Sequence, residues 1–109
     1  MTEKEKSAQA LAEREKEIVL ELRQNKEQCL EHAVESLPDM VIIFQELFAF
    51  ADRKSEGIEI PIHVLEQQLE NLEHSYRQRD IVQLADTLEY EILESIYFYI
   101  EILKNTGQN

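Results

Sequence analysis

The sequence predicts an all-α fold: an up-down bundle of about four helices with a long N-terminal helix. Three observations lead there. Only two Gly and two Pro occur in 109 residues, so turns are few and the elements between them are long. Apolar residues make up 43% of the chain, enough for a packed core rather than disorder. Those residues recur at intervals of three and four, the period of a helix face. The length suits one domain, residues 1–109, and no repeat or linker divides it.

The first helix is expected over about residues 7–36. Leu11, Ile18, Leu22, Cys29, Ala33 and Leu37 form one apolar stripe, and Glu13, Arg14, Glu15, Lys16, Glu17, Arg23 and Lys26 a charged face. Such a helix is about 45 Å long; its sparse first turns should fray and overhang the bundle. Pro38 lacks an N–H and ends it. Ser36 with Asp39 reads as the N-terminal cap of a second helix over about 38–54, with Gly57 as its stop. Residues 58–62 alternate and read as extended, and Pro61 suits the first turn of a third helix over about 61–78. There Ile62, Leu65, Leu69, Leu72 and Tyr76 make the cleanest heptad-like stripe. Asp80 with Gln83 reads as a capping box opening a last helix over about 80–104, with Ile81, Ala85, Leu88, Ile92, Ile96, Tyr99 and Leu103 inward. Short connections imply antiparallel neighbours.

Charge narrows the partners. With 23 acidic and 11 basic residues the formal charge is −12, so nucleic acid and anionic membrane surfaces are repelled. No apolar run approaches a membrane span. The start of the chain does not resemble a signal peptide, and the single cysteine allows no internal disulfide. A cytoplasmic setting is the expectation.

No motif specifies an enzyme, and no cofactor, metal or catalytic residue is expected. Glu70 and His74 share a helix face and His63 lies near Glu66, but the paired Glu-x-x-His units of a di-metal bundle are missing. His32, His63 and His74 lack the Lys and Gly that follow a phosphotransfer histidine. Cys29 sits on an apolar stripe, as a small buried hydrophobe does. A small metal-dependent or phosphotransfer enzyme therefore ranks last among the functions considered.

Two segments are too apolar for simple surface helices. Residues 96–100 (Ile, Tyr, Phe, Tyr, Ile) span the whole circumference, and 41–44 with Leu47, Phe48 and Phe50 nearly do. Phe44, Phe48, Ile96, Tyr97, Phe98 and Ile100 are therefore the candidate interface of a homodimer, or of a complex with another protein. Asp86, Glu89 and Glu91 form a candidate acidic patch, which pairs with Arg77 or Arg79 or receives a basic partner.

The segment Arg79-Asp-Ile-Val-Gln-Leu-Ala-Asp-Thr-Leu-Glu-Tyr-Glu-Ile, residues 79–92, resembles a stretch of small acidic helical proteins of unknown function from flagellated Gram-positive bacteria. It carries no catalytic residue, so the resemblance implies no chemistry. Size, acidity and a bundle are also similar to flagellar export chaperones, which hold a client helix in an apolar groove; that likeness is one of fold class. The leading expectation is a protein that works through protein–protein contact as a homodimer, with an export or assembly chaperone as the alternative.

Overall fold

The computed structural model describes residues 2–53 and 59–106. Its elements are α1 (Glu3–Arg23), α2 (Cys29–Arg53), α3 (Ile62–Gln78), α4 (Ile81–Thr87), a π turn (Leu88–Ile92) and α5 (Leu93–Thr106). The last three run on without a break, so among the described residues the fold has four helices and no strand. Gly57 and the extended reading of residue 58 lie outside the described residues.

Cross-helix contacts give the topology. Lys4, Arg14 and Glu21 of α1 meet Glu46, Asp39 and His32 of α2 in that order, so the two run antiparallel. Arg23 meets Asp86 and Glu89, while Lys16 sits over Tyr97, so the fourth helix also runs against α1. Asn71 bonds Glu91 and Gln68 bonds Ser95, which sets α3 antiparallel to the fourth helix. This is an up-down bundle in which α1 packs on α2, α4 and α5, and α3 packs chiefly on α4.

The break between the first two helices differs from the expectation. α1 stops at Arg23, and Pro38 lies inside α2. Asn25 takes the left-handed conformation (φ 51°), and Lys26 N–H bonds the Glu21 carbonyl at 3.0 Å. That closes α1 as a glycine would, asparagine being the next residue that tolerates this region. Gln28 (φ 67°) makes a second left-handed step before Cys29 opens α2. The reversal lays the α2 stripe against α1, whereas one straight helix would leave the stripe of its second half without a partner.

Inside α2, Pro38 cannot donate to the Val34 carbonyl. Both residues are exposed, so water can serve that carbonyl. Ser36 caps nothing: it is fully buried, and its hydroxyl donates to the Ala33 carbonyl at 2.8 Å. The start of α1 is packed on the bundle and does not overhang it. Thr2 accepts the Glu5 N–H at 3.2 Å, and Ala8 and Leu11 are buried. At 21 residues α1 is long, but α2 has 25.

The other boundaries agree with the sequence. Arg79 closes α3 in the left-handed region (φ 52°), and Asp80 accepts the Gln83 N–H at 3.0 Å. Of the α3 stripe, Leu65 and Leu72 are buried, while Ile62, Leu69 and Tyr76 are half-buried.

The π turn has a cause in the sequence. Leu84, Leu88, Ile92 and Ile96 are all fully buried and spaced by four. At 3.6 residues per turn each such step overshoots by about 40°, so the row would drift out of the core. The i→i−5 bond from Leu93 N–H to the Leu88 carbonyl widens the coil there and takes back part of the drift.

Replacing Leu72 with Ala should cost about 3 kcal/mol in urea unfolding, and Leu69→Ala about 1 kcal/mol, because only Leu72 is fully enclosed. Pro38→Ala should stabilise the chain by about 2 kcal/mol, since it restores a helical hydrogen bond at an exposed site. A loss of stability in Pro38→Ala would mean that the chain needs a break there.

Candidate functional site

The outer face of α2 carries three exposed aliphatic side chains. Val34, Val41 and Ile42 are 50%, 43% and 55% exposed. Val34, Pro38, Val41 and Gln45 follow one another at spacings of four, three and four, so they lie along one side of the helix. Between positions 38 and 49 the exposed residues are Pro38, Asp39, Val41, Ile42, Gln45 and Ala49. Asp39 is the single acid among them and pairs with Arg14 at 3.4 Å. Half-buried Glu46, next to the patch, pairs with Lys4 at 3.2 Å. Cations of α1 thus offset the charge beside an apolar strip, on a chain of formal charge −12.

The residues expected to form the interface divide between inside and outside. Phe44, Ile96 and Ile100 are 1%, 0% and 4% exposed. They belong to the chain's own core and offer a partner nothing. Phe48 and Phe98 are half-buried against that core. Tyr97 is 39% exposed, with the Lys16 ammonium 5.6 Å from its ring centre. The wide apolar circumference at 96–100 therefore serves mainly packing, with Tyr97 on the wet side. The run 41–44 splits evenly, Ile43 and Phe44 in, Val41 and Ile42 out.

The acidic patch is engaged within the fold, though not by Arg77 or Arg79. Arg23, at the end of α1, reaches Asp86 at 3.0 Å and Glu89 at 2.6 Å and lies 5.9 Å from the Tyr90 ring centre. Glu91 points to the other side and accepts from Asn71 at 2.9 Å. Arg77 instead pairs with Glu73 on its own helix at 2.8 Å. The early end of α1 is what delivers Arg23 to these carboxylates.

A second polar site lies in the core, at a residue that the sequence pattern places on the charged face. Glu15 is fully buried. Ala8, Leu11, Glu15, Ile18 and Leu22 step by three and four, so Glu15 fills a core position of α1. A signal for this exists in the sequence: Leu11 to Ile18 is a gap of seven, and the position that bridges it is a glutamate. Among the described residues neither carboxylate oxygen completes a hydrogen bond, the nearby Ser36 hydroxyl donating to the Ala33 carbonyl instead, and the Tyr76 hydroxyl of α3 is likewise buried without a partner. Burial pushes the Glu15 carboxyl up to about 7. The Ser36 hydroxyl and the Arg14 charge pull it back, and Asp39 adds to the rise. Burial, with the charge of Glu15, also raises the Tyr76 phenol.

Elsewhere the polar groups are ordinary. His32 sits 2.7 Å from Glu21, and that hydrogen bond raises its pKa. His63 and Glu66 meet at 3.4 Å on an exposed turn. Cys29 is buried. Among the described residues, no group of three or more His, Cys, Asp or Glu is placed to hold a metal ion. No helix there is long and apolar enough to cross a membrane.

Fold and surface together define an all-α up-down four-helix bundle with an apolar strip on one helix. Compared with known proteins, the chain matches no family model, no curated sequence and no solved structure.

Arg23→Ala should lower the thermal midpoint slightly at low salt, with the difference vanishing at high salt, because exposed ion pairs are screened. A difference that persists at high salt would show that Arg23 contributes by packing.

Proposed function

We propose that this chain is an interaction protein that acts as a homodimer, joined through the outer face of α2. The supporting observation is the strip Pro38, Val41, Ile42, Gln45 and Ala49, exposed residues among which Asp39 is the single acid. Two surfaces of a strongly acidic chain repel, so self-association needs a place where apolar contact is not opposed at close range. Exposed apolar patches of this kind mark interfaces more often than solvent-facing surface. A cytoplasmic setting belongs to this reading, and a free, buried Cys29 is compatible with a reducing compartment.

A chaperone-like role is the second reading. Leu30, Val34 and Tyr76 line a groove between α2 and α3, with Glu31, Glu35 and Arg79 also at its wall, so the acids there outnumber the one cation. An amphipathic client helix with basic flanks suits that arrangement. Under this reading the free chain sediments as a monomer.

Sedimentation at micromolar concentration separates the two. A dimer is expected at low salt, tightening modestly as salt rises and screens the net charge. The double substitution Val41→Glu with Ile42→Glu should give monomers of unchanged helicity, since both side chains are exposed. A wild-type monomer at both low and high salt would refute self-association.

A further inference from the structure

We propose that Glu15 is a proton-operated latch of the bundle: the closed fold holds it as a neutral acid, and loss of that proton destabilises the packing of α1 on α2. The latch rests on geometry and is independent of the dimer. Glu15 occupies a core position of α1 at 0% exposure, and no donor among the described residues bonds either oxygen. An ionised carboxylate placed there without hydrogen bonds is strongly disfavoured, so the group keeps its proton instead.

Each neighbouring element withholds what an anion would need. On α1, Arg14 is exposed and directed to Asp39 of α2 at 3.4 Å. Asp39 itself is an acid and works against a second negative charge. The Ser36 hydroxyl of α2 lies close enough to favour the anion, but its one proton goes to the Ala33 carbonyl at 2.8 Å. From α3 comes the Tyr76 hydroxyl, buried and unbonded, which feels the Glu15 charge. On the fourth helix the buried titratable group is Tyr99, which responds to Glu46 rather than Glu15. That leaves the carboxylic acid form as the one compatible with the closed core.

Proton linkage sets the sign of the effect. The folded carboxyl titrates at about 7, above its ordinary 4.5. Its contribution is fully present below pH 4.5 and is lost as pH rises toward 7, because the unfolded chain releases the proton first. His32, raised by Glu21, changes stability in the same direction, so wild type alone is not decisive. The comparison must be with a chain that differs only at Glu15.

Urea unfolding of wild type and Glu15→Gln at pH 5 and pH 8 supplies that comparison. The ratio of their folding equilibrium constants should move in favour of the variant by about a hundredfold between the two pH values, since each pH unit between the unfolded and folded titration midpoints is worth about tenfold. An unchanged ratio overturns the latch. A direct measurement serves if the variant folds poorly. Carbon-13 NMR of the Glu15 side-chain carboxyl in the wild-type chain should titrate near 7, and a midpoint in the ordinary carboxylate range overturns the proposal.

Discussion

The burial of α1 between α2 and the fourth helix is the constraint on which the other features depend. Its inward row, Ala8, Leu11, Ile18 and Leu22, is nearly fully enclosed. To cover that row from two sides the chain must reverse soon after Leu22, and the left-handed Asn25 and Gln28 provide the reversal. The same reversal leaves Arg23 at the end of α1, within reach of Asp86 and Glu89. The position of the turn thus sets both the core and the fate of the acidic patch.

Packing also explains the two departures from regular helix. The fourth helix buries residues at every fourth position, from Leu84 to Ile96, and the π turn at Leu88–Ile92 keeps them facing inward. In α2 the core residues Ala33, Ser36, Met40, Phe44 and Leu47 run past Pro38 without losing phase. Tertiary contact along the whole helix outweighs the local cost of the proline, which is tolerable because Val34 and Pro38 are both exposed.

Uneven polarity follows from this arrangement. Acidic residues dominate the surface, yet the outer side of α2 is apolar and an acid stands in the core at Glu15. Each breaks the binary pattern expected of a bundle helix, and departures of that kind concentrate where a fold binds or switches. One concerns what the chain can meet, the other what its core tolerates as pH changes.

Much of the fold was legible in the sequence. Few glycines, few prolines and the four-three spacing of Leu65, Leu69 and Leu72 pointed to helices and their number, and short connections to their antiparallel order. Asp80 with Gln83 marked the last helix start for a local reason, a side chain bonding a backbone N–H three residues on. The first turn was not legible in the same way, since Asn25 signals left-handed backbone less strongly than Gly, and Pro38 is the louder local signal. Which was obeyed depended on how much core each choice enclosed. Tertiary structure likewise decided which half of 41–44 faces out, that Phe44, Ile96 and Ile100 are core, and that Asp86 and Glu89 answer to Arg23. Periodicity states that a residue lies on a face; only the packed neighbours determine whether that face is covered, because burial belongs to pairs of helices and not to one.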